Sequence, residues 1–176
     1  MELDKCIEER RSIRRYKNQP VSRDLIKEMI RAASLAPSWK NSQVSRYYVV
    51  DGDEKESFLD CLAPFNQKNV KDASTIIVST VVKNRSGFER DGSYTTHLKD
   101  GFQYFDNGLQ VQNLCLKAYE LGLGTLIMGI YDDQKVKAFF DIPETQEVVS
   151  VIGVGYPDVE PEMPMRKNVE EIITFK

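Results

Sequence analysis

The 176-residue sequence has a single histidine, His97, and three cysteines, Cys6, Cys61 and Cys115, all far apart. That scarcity excludes several chemistries. A histidine-rich metal site cannot be built, no C-x-x-C redox or zinc motif exists, and an odd, dispersed set of thiols is no disulfide framework. The three cysteines are expected as small buried hydrophobes, and only an oxygen-ligand cation site stays open by this count. No apolar run approaches the roughly 20 residues that cross a bilayer, and the opening Met1-Glu2-Leu3-Asp4-Lys5 lacks an apolar secretory stretch, so the expectation is no membrane and a cytoplasmic location. Equally absent are a nucleophile elbow and a convincing carboxylate pair. Ser38, in Pro37-Ser38-Trp39, has no base beside it, and His97 has no identifiable partner.

What is present is one ordinary globular domain, residues 1–176, with 41% hydrophobic and 29% charged residues and no linker or repeat. Against a net charge of -3, the stretch Arg10-Arg11-Ser12-Ile13-Arg14-Arg15 carries four arginines in six positions. Arginine offers a permanently charged, planar fork of donors that suits a phosphate; the alternative is a solvated basic helix end. Binding of nucleic acid through the arginines and Tyr16 is disfavoured, because no broader basic stripe accompanies them on an acidic chain.

Along the chain, Asp4 is placed to cap a short helix to Arg11, and Ser22 to cap a second whose apolar face is Leu25, Ile26, Met29, Ile30 and Ala33. The polar loop Ala36-Pro37-Ser38-Trp39-Lys40-Asn41-Ser42-Gln43 holds the only tryptophan. Tyr47–Val50 reads as a buried strand, Glu54–Leu62 as a helix, Phe65–Asn69 as another polar loop, and Ile76–Val82 as a strand covered on both faces. Residues 83–100, rich in charge, Gly and Ser without periodicity, are expected as a mobile surface excursion, of the kind that forms lids, substrate walls or simply variable surface. Phe102 to Leu121 is a long helix stopped by Gly122, apolar on more than one side, hence central to the domain or half of an oligomer interface. The glycines of Gly122-Leu123-Gly124 fit neither dinucleotide nor P-loop patterns. Asp132 caps a helix to Phe140, Val148–Tyr156 is a strand, and the tail, residues 161–176, ends in Ile172-Ile173-Thr174-Phe175, read as an extra edge strand that docks on another surface. The sum is an α+β domain with a helix-covered sheet.

Several of these pieces, in register, resemble one family. Arg10-Arg11-Ser12-Ile13-Arg14, then Ala36–Gln43, Phe65-Asn66, Asp72-Ala73-Ser74, Asp106-Asn107-Gly108, Gly122-Leu123-Gly124, Gly153-Val154-Gly155-Tyr156-Pro157 and Arg166-Lys167 are similar to the nitroreductase family of FMN-dependent oxidoreductases. The resemblance implies an α+β fold with a helix-covered, mostly antiparallel central sheet, in a homodimer with exchanged terminal segments. It implies FMN as cofactor, NADH or NADPH as electron donor, and an organic oxidant such as a nitroaromatic or quinone, reduced in a ping-pong cycle. By motif match, Arg10, Arg11, Ser12 and Arg14 with Arg166 and Lys167 are the flavin phosphate, ribityl and pyrimidine contacts, and Arg14 gives electrostatic support. Asn66 matches an asparagine at the ring edge, and Ile127, Met128 and Gly129 the stretch beside the ring. Pro37, Ser38, Trp39 and Asn41 match a loop that reaches the flavin from the partner subunit. Catalytic side chains are not expected, since the chemistry belongs to the flavin. Trp39-Lys40 is bulkier than many relatives, and Val44-Ser45 stands where Pro-Trp is frequent, which leaves Trp39 either stacking on substrate or packing at the dimer interface. Other outcomes are a non-catalytic FMN-binding sensor or storage module, or a dehydrogenase, dehalogenase or enone reductase on the same fold.

Overall fold

A computed structural model describes residues 2–176. Its centre is the β-branched run Thr75–Val82, which forms strand β2 and is buried over nearly its whole length. Side chains alternate across a strand. Ile76 and Val78 therefore enter one core and Ile77 the other.

Four antiparallel strands make the sheet, in the order β1-β2-β4-β3, with β1 at Ser45–Asp51, β3 at Gly124–Met128 and β4 at Gln146–Gly155. Val49 faces Ile77 between β1 and β2, Ile77 faces Ile152 between β2 and β4, and Ile127 faces Ile152 between β3 and β4. On one face lie α2 (Arg23–Ser34) and α5 (Gly101–Glu120), closing over Met29, Val111, Leu114 and Ala118. The other face is covered by α3 (Glu54–Phe58), α4 (Pro64–Val70) and α6 (Asp133–Phe140), with Phe58, Val70 and Val136 fully buried. All three cysteines are buried and free. Among the described residues no helix is long and apolar enough to cross a membrane.

Two caps form as the sequence predicts: Ser22 accepts from the Leu25 N–H and Asp132 from the Lys135 N–H. Other expectations need correction. The first helix, α1, spans Leu3–Glu9 with Glu2 at its cap and no side-chain cap bond, so Asp4 sits inside the first turn. The Glu54–Leu62 helix changes to a 3-10 turn at Leu59–Cys61. Phe65–Asn69 is no loop but most of α4, which Pro64 opens at a first-turn position where its missing N–H costs nothing. Tyr47, Tyr48 and Val49 are half-buried, because β1 is an edge strand. The stretch after Gly122 is strand β3. The tail forms only a 3-10 turn at Val169–Glu171, so the edge strand expected at Ile172–Phe175 is absent from the single chain. Phe175 is 85% exposed and Met165 96% exposed, an apolar tail lying off its own core.

Candidate functional site

The arginine segment leaves α1 at Arg10 and runs beside the free edge of β3. The Ile13 N–H donates to the Thr125 carbonyl at 2.9 Å, and Ser12 bridges to Thr125 in parallel sense. Two buried side chains pin it. Ile13 presses on Gly124, where a Cβ would fall 2.5 Å from Ile13 Cγ1. Tyr16 lies over Gly155, where a Cβ would come 2.9 Å from its ring, and its hydroxyl donates to the Ile13 carbonyl at 2.8 Å, with Gly153 O a second acceptor at 3.4 Å. Glycines at these positions are thus a requirement of close approach. With Ile13 and Tyr16 turned inward, Arg14 and Arg15 are left exposed and Arg10 and Arg11 half-exposed.

Across the chain, Arg166 comes to the same place. Arg10, Arg11, Ser12, Arg14 and Arg166 together line a cavity of about 140 Å³, completed by Pro161, Glu162 and Pro164. Four guanidiniums face one carboxylate there, so positive charge is in excess. Arg11 curls back, donating from Nη1 to the carbonyls of Glu8 at 2.6 Å and Arg10 at 2.9 Å, and its buried Nε has no partner. Lys167 is not among the cavity's lining residues. A larger cavity of about 360 Å³ adjoins through the shared residues Arg10, Arg11 and Pro161.

Strand β3 connects this basic end to a second cluster about 14 Å away, at the strand rise of some 3.4 Å per residue from Thr125 to Gly129. There Asn66, buried on α4, donates from Nδ2 to the Ile130 carbonyl at 3.0 Å. Met128 is buried in the core, so only its backbone is presented, whereas Ile127 is half exposed. Gly129 opens outward: a Cβ there would meet nothing within 4 Å. Phe65, next to Asn66, and Ile130 are also exposed, an apolar margin that the reading of Phe65–Asn69 as a loop did not find.

The Pro37–Asn41 loop is not brought to this site within one chain. The Trp39 N–H donates to Asp106 in the first half of α5, while the arginine segment meets the other end of that helix, where Tyr119 donates to Glu9. At 1.5 Å rise per residue these two points on α5 are about 20 Å apart. His97 is exposed and without a hydrogen bond among the described residues. No group of three or more metal-ligating side chains occurs among the described residues.

Comparisons with known proteins show the family and the fold. The nitroreductase family model matches residues 7–156. Nitrobenzene nitroreductase of Ectopseudomonas oleovorans is 41% identical over an alignment that covers 98% of this chain and 96% of that protein. NADH dehydrogenase of Thermus thermophilus is 26% identical, covering 95% and 92% respectively. In fold, the crystal structure of a nitroreductase family protein from Streptococcus pneumoniae TIGR4 matches with a TM-score of 0.88 at 21% identity, over 99% of this chain and 100% of that one. With the match running from the first helix through the last strand, and a relative of this identity aligned over nearly its full length, the chain belongs to the nitroreductase family.

Proposed function

We propose that the chain is an FMN-dependent NAD(P)H oxidoreductase that works as a homodimer and reduces small organic oxidants in a ping-pong cycle. The observation that carries this reading is the meeting of Arg166 with Arg10, Arg11, Ser12 and Arg14 around one cavity, at one end of a strand whose other end reaches Asn66 and Gly129. The residues present fit the cofactor. An excess of guanidiniums suits a phosphate, the buried Arg11 Nε lacks an acceptor, and the open side of Gly129 leaves room for a flat ring.

When bound, FMN supplies the redox chemistry, taking a hydride from NADH or NADPH and delivering electrons to the oxidant. The chain's residues bind and orient. Arg10, Arg11 and Arg166 would hold the phosphate, with Ser12 offering a hydroxyl beside them and Lys167 adding charge from outside the cavity lining. Arg14, exposed and loosely tied to the Ser12 carbonyl at 3.5 Å, would be free to reach the pyrimidine edge, where a cation stabilises added negative charge. Asn66, fixed through Nδ2 to the Ile130 carbonyl, would offer its amide oxygen to the ring edge. The backbone of Ile127, Met128 and Gly129 would flank the ring, and the exposed Phe65 and Ile130 would give the oxidant an apolar margin.

Dimerisation supplies what one chain lacks. Pro37, Ser38, Trp39 and Asn41 are turned away from their own arginine cluster and reach the site of the partner subunit. The exposed tail, with Met165, Val169, Ile172 and Phe175, finds its cover on the partner, where a cavity of about 330 Å³ lined by Leu3, Cys6, Ala32, Leu35 and Leu116 offers apolar surface.

The purified protein, loaded with FMN, should be bleached by NADH or NADPH without oxygen and should recover its colour on addition of a quinone. Replacing Arg10 and Arg166 together by Ala should weaken FMN on the order of a hundredfold or more, at 1.5–3 kcal/mol per charge-assisted bond, and riboflavin far less. A protein that takes up no FMN, or variants that lose both ligands equally, would overturn the proposal.

A further inference from the structure

One buried carboxylate has no place in the flavin site. Asp106, in the second turn of α5, is 1% exposed, and no salt bridge reaches it among the described residues. A carboxylate buried without a counter-ion must be held by hydrogen bonds. All of those found here fall on a single oxygen, Oδ2: from the Trp39 N–H at 3.0 Å, the Ser42 hydroxyl at 3.2 Å and the Ser86 hydroxyl at 2.6 Å. The donors belong to two different segments. Trp39 and Ser42 are in the loop after α2, and Ser86, fully buried, is in the excursion of residues 83–100.

A second contact joins the same two segments at the surface. Lys40 Nζ lies 3.0 and 3.2 Å from the two oxygens of Glu89, and the Thr95 hydroxyl donates to Glu89 at 2.9 Å. The Lys40 ammonium and the Thr95 hydroxyl hold the Glu89 carboxyl below its usual range. Between these contacts the loop backbone is unusual: Lys40, Asn41 and Gln43 have φ of 45°, 54° and 50°, a left-handed region costly for residues with a Cβ. Something must enforce that conformation. The Trp39 ring is fixed by the same arrangement, edge-on to Phe102 at 4.9 Å between centroids, with its indole nitrogen buried and unpaired.

We propose that Asp106 is a positioning residue for oxidant specificity: it ties the Trp39 loop and the 83–100 excursion to α5 as one body and so sets how Trp39 is presented. Asp106 touches neither flavin nor substrate. It acts through Trp39, and the specificity half of this proposal rests on the reading above, in which Trp39 serves the partner's flavin site. The positioning half does not depend on flavin at all.

Because Trp39 is the only tryptophan, its fluorescence reports on the loop alone. The protein is compared with its Asp106→Asn and Ser86→Ala variants for emission maximum, acrylamide quenching and FMN affinity, and for kcat and KM with a naphthoquinone and with ferricyanide. Both variants should shift Trp39 emission and raise its quenching, with FMN affinity falling far less than in the variant that lacks Arg10 and Arg166. For the naphthoquinone, KM should rise about tenfold in Asp106→Asn, the effect of roughly one weakened charge-assisted bond, with ferricyanide little changed. Ser86 has no hydrogen bond to Trp39 and is joined to it through Asp106, so replacing Ser86 should change the indole less in the Asp106→Asn background than in wild type.

Unaltered Trp39 emission in Ser86→Ala overturns the positioning role, including where Asp106→Asn fails to fold. Altered emission with unchanged KM overturns the specificity role. Wild-type protein that binds no FMN defeats the flavin reading instead, and the fluorescence comparison still decides the positioning role.

Discussion

Replacing Tyr16 by Phe removes one oxygen from beneath the arginine segment and leaves the ring in place. That oxygen donates to the Ile13 carbonyl at 2.8 Å, in a position where Tyr16 is only 4% exposed. Burial holds the phenol well above its usual range, so the hydroxyl remains a donor at any pH used for the measurement. Without it the Ile13 carbonyl, whose neighbours are Ser12 and Arg14, loses a buried partner and gains none. A neutral hydrogen bond of this kind contributes about 1 kcal/mol, and stranding its acceptor brings the cost to about 1–2 kcal/mol. For a chain of this length that lowers Tm by roughly 2–8 °C. Thermal denaturation of flavin-free protein, followed by circular dichroism at one fixed protein concentration, measures it. FMN and riboflavin should weaken together and by a similar factor, because the whole segment loosens, in contrast to the phosphate-selective loss expected of Arg10→Ala with Arg166→Ala. A Tyr16→Phe protein as stable as wild type would show that the hydroxyl does not anchor the segment.

Two other outcomes follow from the same geometry. Gly124→Ala should cost about 1–3 kcal/mol through overpacking, since the new methyl meets Ile13 Cγ1 at 2.5 Å. Ile13→Ala, which removes the γ carbons in its way, should cost less in the Gly124→Ala background than in wild type when denaturant midpoints are compared. Asp51 accepts from Arg23, whose hydrogen bond holds the Asp51 carboxyl below its usual range. A depressed folded value means that this stabilisation is present above the ordinary aspartate range and disappears as pH falls through the depressed value. Asp51→Asn should therefore lower the urea midpoint slightly at neutral pH and converge with wild type in acid, and a difference that persists in strong acid would contradict the pairing.

Much of this fold was legible in the residue pattern, for physical reasons that differ by element. Burial on both faces makes β2 a continuous β-branched run, and the caps Ser22 and Asp132 announce their helices because unpaired N–H groups need an acceptor. Strand β3 was concealed by its glycines, which are there to admit Ile13 rather than to break structure. Helix α4 was concealed by polar residues, one of which, Asn66, is buried by a hydrogen bond that only the folded chain reveals. Of the proposed site, the residue types and order of the two basic clusters could be read directly, but their meeting around one cavity could not, since nothing local links Arg14 to Arg166. Asp106 stood in a motif without a role; its partners Trp39 and Ser86 lie far off in sequence. The tail offers the reverse case, an apolar pattern that predicts a strand where the structure has only a 3-10 turn at Val169–Glu171.

The contact between Ser12 and Thr125 has an effect unrelated to ligand. Strand β3 ends the sheet, and a strand edge with free N–H and C=O groups is a template on which other chains can stack. The arginine segment lies over that edge and surrounds it with like charge, so the residues that would receive an anion also keep copies of the sheet from joining edge to edge. Variants that loosen the segment should then be betrayed first by aggregation on concentration, before any loss of colour.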